Sequence, residues 1–138
     1  MSGTRFVPTQ ADRRMNKWIF LISGGVCGTV GRYLLSGAAH RCFGEGFPYG
    51  TLTVNLIGAF AVGFLGTLTE RQLHLGPEFR LFWIVGLLGA FTTFSALVYE
   101  SWSLIRADRV FLAGLNIAGS MMLGLAAFLA GHLLAGRG

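Results

Sequence analysis

Four long runs of the chain contain almost no charged side chains. Gly46 to Thr69, Leu81 to Tyr99 and Val110 to Gly136 are free of Asp, Glu, Lys and Arg. A fourth run, from Trp18 to about Ala39, contains only Arg32. Each run is close to the ~20 residues that an α-helix, rising ~1.5 Å per residue, needs to cross ~30 Å of hydrocarbon. The pattern predicts an all-α membrane protein with four transmembrane helices.

The predicted helices are separated by short polar connections. They run from about Trp18 to Ala39, Tyr49 to Thr69, Leu81 to Ile105 and Phe111 to Leu134. The ~10-residue alternating strands of a membrane barrel do not occur. Because no polar segment is long enough to fold by itself, we expect one domain over residues 16–138, preceded by a polar tail over residues 1–15. The tail lacks the apolar core and small-residue cleavage site of a signal peptide.

Composition agrees with a membrane protein and argues against an enzyme or a nucleic-acid-binding protein. The chain is 53% hydrophobic and only 12% charged, about half the charge of a typical soluble domain. The net charge of +5 comes from basic residues at helix ends, which suits contact with anionic lipid headgroups. Cys27 and Cys42 lack metal-ligand spacing, and no nucleophile stands with a base.

Small residues are frequent and regularly spaced, which indicates tight helix packing. The chain has 21 glycines. Three pairs of small residues lie four positions apart, a spacing that lets helix backbones approach closely in lipid: Gly24 and Gly28, Ala59 and Gly63, and Gly86 and Ala90. Four helices are too few to surround a polar pathway comfortably. We therefore expect a homo-oligomer, most simply a dimer.

Polar side chains within the runs need a partner or a water-lined route. Asn55 lies a few residues into the second predicted helix, where its amide could donate to an anion or glue two helices together. Asn116, Ser120 and Gly124 are four apart and form one narrow polar stripe, which favours close packing. Arg32 and Glu100 lie near helix ends, and the interpretation that each pairs structurally is favoured over ion handling.

The most unusual stretch is Gly86 to Ser95, with the sequence GLLGAFTTFS. Two glycines, two adjacent threonines and a serine in mid-membrane favour a break in the third helix. A break frees backbone carbonyls and amides, which is tolerated only where they line a cavity or bind an ion. Phe91 and Phe94 have electropositive ring edges that can contact an anion.

Three motifs together resemble the CrcB/Fluc family of fluoride channels. They are Gly24 to Tyr33 (GGVCGTVGRY), Gly50 to Gly58 (GTLTVNLIG) and Gly86 to Ser95. Their order and spacing match the family over nearly the whole chain from Asn16 onward. The chain departs from the family pattern at Leu97, where a second pore phenylalanine is expected. It also departs at Gly124 and Asn116, where a serine and a tyrosine can occur.

The resemblance implies an antiparallel, dual-topology homodimer in the cell inner (plasma) membrane. Two pores would export fluoride passively and so reduce its toxicity in the cytoplasm. It implies fluoride contacts at Asn55, Phe94 and Ser120, with Thr51 and Ser95 as lesser candidates. It further implies that the third helix is broken near its middle and that a structural sodium ion is held by the backbone carbonyls of Gly89 and Thr92.

Two other classes remain as alternatives. A small dual-topology multidrug exporter would need a carboxylate in the first helix, which this chain lacks. A membrane scaffold would use its polar residues only for assembly. The basic residues also bear on topology, because seven lie on the side of the termini and four on the other, if Arg32 snorkels to that side. Leaving out Arg5, Arg13 and Arg14 gives four against four, as dual insertion requires. This suggests either that Met15 is the true start or that the tail is too weakly placed to bias insertion.

Overall fold

The computed structural model of the protein describes residues 10–71 and 76–137, and in them the chain is helical almost throughout. The elements are α1 (Gln10–Phe43), α2 (Tyr49–Arg71), α3 (77–91), α4 (Phe94–Arg106) and α5 (Val110–Gly136). Together α3 and α4 form the third crossing. Four segments are long and apolar enough to span a membrane: Met15–Phe43, Tyr49–Arg71, Pro77–Arg106 and Val110–Gly136. The prediction of four transmembrane helices is confirmed.

The first helix is longer than the sequence pattern indicated. It begins at Gln10, inside the predicted polar tail, and residues 1–9 of that tail lie outside the described residues. Its other end is set by Gly44, which has a φ of +82°. A left-handed residue just after the last helical position is the usual way for a helix to end. The Gly44 amide also bonds the His40 carbonyl at 2.9 Å.

The helices pack as two close pairs, α2 with α5 and α1 with α3. In the first pair, a Cβ on Gly63 would collide with the Phe128 carbonyl, and a Cβ on Gly131 would collide with the Phe60 carbonyl. Each helix therefore contributes one glycine against the other's backbone. Close approach of this kind is how helices gain van der Waals contact in lipid.

The pair of α1 and α3 follows the same rule. A Cβ on Gly24 or Gly28 would collide with the carbonyls of Phe82 or Leu87, and a Cβ on Gly86 would lie 2.9 Å from the Leu21 carbonyl. The prediction that small residues allow these helices to touch is confirmed.

One feature of α3 has no signal in the sequence. After a single α-helical turn at Pro77–Arg80, the helix continues as a π-helix over Leu81–Leu88 and returns to α-helix at Gly89–Phe91. The Gly89 amide accordingly donates to the Ile84 carbonyl, five residues back, as well as to the Gly86 carbonyl, three residues back. Such wide turns are rare and often occur beside functional sites.

We predict that Gly63→Leu destabilises the α2–α5 pair, because the new side chain has no space against the Phe128 carbonyl. Overpacking typically costs about 1–3 kcal/mol. The purified variant should therefore lose its monodisperse elution peak at a lower temperature than wild type. Gly66→Leu is the matched control on the same helix, since nothing lies within 4 Å of its added Cβ. Equal thermal loss in both variants would show that the glycine contact is unimportant.

Candidate ion pathway at the broken crossing

The third crossing is interrupted at Thr92 and Thr93. Thr92 has φ −78° and ψ 155°, and Thr93 has φ −150° and ψ 118°, so both are extended rather than helical. The helix before the break closes with the Thr92 amide and hydroxyl both bonded to the Leu88 carbonyl at 3.1 Å. The helix after it starts with Thr93, whose hydroxyl accepts from the Ala96 amide at 3.3 Å. The predicted break in Gly86 to Ser95 is confirmed.

Asn55 on α2 binds both backbone groups of Thr93. Its Nδ2 donates to the Thr93 carbonyl at 3.0 Å, and its Oδ1 accepts from the Thr93 amide at 2.8 Å. An amide side chain can make this double contact because it carries a donor and an acceptor side by side. Of the two interpretations of Asn55, the interhelical bond is present. One Nδ2 hydrogen is left for a further acceptor.

Gly58 allows the break to sit directly against α2. It lies three residues after Asn55 on the same helix, and a Cβ there would collide with the Thr92 methyl group. The same Cβ would come within 3.3 Å of the Phe91 ring, which also lies 3.6 Å from a Cβ on Gly31. Phe91 therefore packs between α1 and α2, whereas Phe94 is 70% exposed in the single chain.

The break directs two amides away from the carbonyls they would bond in a continuous helix. There, the amides of Thr93 and Ala96 would pair with the carbonyls four residues back, those of Gly89 and Thr92. Here, Thr93 donates to Asn55 and Ala96 donates to the Thr93 hydroxyl. The carbonyl oxygens of Gly89 and Thr92 therefore accept no hydrogen bond from these two amides. Backbone carbonyls in this state fit the donor set that a hard cation requires.

Three of the predicted pore residues share one groove of about 390 Å³ beside the break. Asn55, Phe94 and Ser120 all line it, although they come from three different helices. Leu97 lines the same groove and is only 2% exposed. The position of the expected second phenylalanine is therefore filled by a buried aliphatic side chain.

Thr51 lies on the other side of the break, in a second groove of about 550 Å³. Its hydroxyl donates to Glu100 Oε1 at 2.6 Å. Arg32 lines this groove as well, but in the described part of the chain the hydrogen-bond partner of Glu100 is Thr51. Glu100 thus makes a structural contact, as the sequence indicated, and its partner is a hydroxyl on α2.

Thr93 lines both grooves, so the two grooves lie on either side of the break. Ser95, the last of the predicted residues, is exposed, and its hydroxyl lies 3.2 Å from the Thr93 hydroxyl. The first groove combines the polar groups of Asn55 and Ser120 with a mostly apolar lining, and the second contains Glu100 together with Arg32 and Arg41. Amide and hydroxyl donors suit a small anion, because they can replace its water shell.

The polar stripe on α5, formed by Asn116, Ser120 and Gly124, borders the first groove. Asn116 is fully buried, and its Nδ2 donates to Ser101 Oγ on α4 at 3.0 Å. Ser120 is 6% exposed and reaches the first groove, where Gly124 follows one turn later. The sequence analysis missed Ser101. Its hydroxyl donates to the Leu97 carbonyl four residues back, as serines in helices often do, and the sequence gives no hint of its neighbour on another helix.

Comparison with known proteins agrees with this architecture. A family model described as CrcB-like protein, Camphor Resistance (CrcB), matches residues 19–132. A protein of Maridesulfovibrio salexigens named fluoride-specific ion channel FluC is 42% identical over 87% of this chain and 95% of its own length. This chain is also similar to a protein of Opitutus terrae with the same name, which is 42% identical over 88% of this chain and 93% of its own length. A third protein of that name, from Chlorobaculum tepidum, is 41% identical over 88% of this chain and 95% of its own length. With a family model that spans most of the sequence, the chain belongs to the CrcB family.

Proposed function

We propose that this protein is a fluoride-selective channel that exports fluoride passively across the cell's inner membrane. The observation that carries the proposal is the groove in which Asn55, Phe94 and Ser120 meet beside the broken third crossing. The relatives at about 40% identity are named fluoride-specific ion channels, which supports a channel rather than an enzyme.

The chemistry of the groove fits fluoride. Fluoride is small, strongly hydrated and a strong hydrogen-bond acceptor, so it must meet donors along its whole path. Asn55 has one amide hydrogen beyond the one given to Thr93, and Phe94 offers the electropositive edge of an exposed ring. Neutral donors of this kind bind an anion weakly enough to release it, which fixed lysines would not. Ser95 adds a hydroxyl beside the break, whereas Thr51 gives its single hydroxyl hydrogen to Glu100 in this state.

A sodium ion at the break belongs to the same proposal. The carbonyl oxygens of Gly89 and Thr92 are the residues that would hold it, since the Thr93 and Ala96 amides are bonded elsewhere. Its positive charge would offset the carbonyl dipoles that the break exposes in a low-dielectric environment. We place the ion at the centre of the dimer, where the broken crossings of two subunits meet.

The dimer is supported by what a single chain leaves uncovered. Phe94 and Gly89 are both exposed in the described structure, although a break in mid-membrane must be shielded from lipid. A second copy in the opposite orientation would cover both and complete two equivalent pores. The balance of four basic residues against four, without those of the N-terminal tail, allows both orientations.

Fluoride selectivity is the first test. Liposomes that contain the purified protein and are loaded with potassium fluoride should release fluoride when a potassium ionophore is added. Liposomes loaded with potassium chloride should retain chloride. Equal release of the two anions would exclude a fluoride channel, and release of neither would favour a scaffold or an exporter.

Asn55→Leu should lower fluoride flux at least tenfold while the protein still elutes as a dimer. The leucine removes both hydrogen bonds to Thr93 and the remaining donor, and each buried polar group left unpaired costs about 1–3 kcal/mol. Ile57→Leu is the control, because Ile57 lies on the same helix and is exposed. Normal flux in Asn55→Leu would remove Asn55 from both the break and the pore.

Phe94→Leu should likewise lower fluoride flux at least tenfold, since leucine keeps the bulk of the side chain but has no electropositive ring edge. Phe111→Leu is the matched control: Phe111 is also strongly exposed but lies at the start of α5, outside both grooves. Flux is measured with a fluoride electrode at equal protein density. If the two variants conduct equally, the ring of Phe94 only fills space.

A further inference from the structure

Two buried polar atoms on α5 have no hydrogen-bond partner within residues 10–71 and 76–137. They are Oδ1 of Asn116 and Oγ of Ser120, in side chains that are 0% and 6% exposed. Leaving a buried polar atom without a partner is destabilising, so a ligand for both atoms is expected. The two residues are four positions apart on one helix, which places their Cβ atoms ~5–6 Å from each other.

The orientation of Asn116 follows from its neighbour on α4. Ser101 gives its single hydroxyl hydrogen to the Leu97 carbonyl at 2.7 Å. Its oxygen can therefore only accept from Asn116, and it does so from Nδ2 at 3.0 Å. One Nδ2 hydrogen of Asn116 is therefore given to Ser101, and the atom of this side chain that has no partner among the described residues is its carbonyl oxygen, Oδ1. That oxygen is an acceptor and cannot bind an anion.

Ser120 differs from comparable hydroxyl residues in the same structure. Ser23, Ser103 and Thr67 each donate to the carbonyl four residues back, at 2.6–2.9 Å. Ser120 makes no such bond among the described residues, although its helix would supply the carbonyl. Its hydroxyl lines the groove that contains Asn55 and Phe94. Its hydrogen is therefore available to a ligand there.

We propose that a single water molecule is bound between Asn116 Oδ1 and Ser120 Oγ, and that it orients the Ser120 hydroxyl. The water donates one hydrogen to Asn116 Oδ1 and the other to Ser120 Oγ. Ser120 then accepts from the water and turns its own hydrogen into the groove. A buried water with two or more polar partners is an ordinary component of folded proteins.

The functional consequence of this inference rests on the proposed function. Asn116 and Ser101 orient the Ser120 hydroxyl, which donates a hydrogen bond to fluoride. Both are positioning residues, because they act through Ser120 and do not contact the ion.

An experimental structure at a resolution that shows ordered water tests the site directly. The expected result is one density peak within hydrogen-bond distance of both Asn116 Oδ1 and Ser120 Oγ, absent from Asn116→Leu. This readout does not depend on which ion the protein carries. Two results would overturn the proposal: a Ser120 hydroxyl that donates to the backbone carbonyl of Asn116, or a wild-type structure without density at this site.

Fluoride flux tests whether Asn116 acts through Ser120. Asn116→Leu and Ser101→Ala should each lower flux by roughly threefold to tenfold, the effect of one misdirected hydrogen bond. In the Ser120→Ala background, Asn116→Leu should cause no further loss, because the residue it positions is gone. Ser103→Ala is the control: its hydroxyl makes the same bond to the carbonyl four residues back, but it is exposed.

The outcomes separate the two proposals. A wild-type protein that passes no fluoride contradicts the proposed function, and the density then decides the water site alone. If the wild type conducts and Asn116→Leu lowers flux equally in the wild-type and Ser120→Ala backgrounds, the positioning role of Asn116 is contradicted. Flux unchanged in both Asn116→Leu and Ser101→Ala contradicts it as well.

Discussion

The structure depends on one constraint: backbone polar groups in a membrane must find partners inside the protein. The third crossing breaks this rule at Thr92 and Thr93, where two consecutive residues are extended. The Asn55 side chain restores it for Thr93 by bonding both the amide and the carbonyl. The neighbouring carbonyls are left available, and the grooves on either side are both lined by Thr93. A single amide on α2 therefore stabilises the break and also lines the groove beside it.

Close helix packing makes this arrangement possible. Asn55 reaches the Thr93 backbone only because Gly58 lets the Thr92 side chain approach α2, and Gly28 and Gly24 bring α1 against the helix that leads to the break. The glycines thus determine how closely the helix backbones approach, and the Asn55 amide supplies the hydrogen bonds to the Thr93 backbone at that contact. In lipid, where apolar burial gives little net gain between helices, van der Waals contact and such interhelical hydrogen bonds supply the association energy.

The sequence predicted what depends on local pattern. Charge-free runs of the right length gave the four crossings, and glycines beside adjacent threonines gave the position of the break. Asn55 could be identified as important, but its partner could not, because Thr93 lies 38 residues away and the contact depends on tertiary packing. The π-helix over Leu81–Leu88 had no signal either, since its residues are apolar and do not distinguish a π-helix from an α-helix. Likewise, Thr51 with Glu100 and Ser101 with Asn116 join different helices, and spacing along the chain does not reveal such pairs.

The central claim is that the broken crossing, held by Asn55, organises both a cation site and an anion path. An experimental structure of the protein in lipid nanodiscs, with sodium and fluoride present, tests this most directly. The account predicts extended backbone at Thr92 and Thr93, both Thr93 groups bonded to Asn55, and cation density beside the carbonyls of Gly89 and Thr92. A continuous helix from Pro77 to Arg106, with the Asn55 side chain facing lipid, would contradict it.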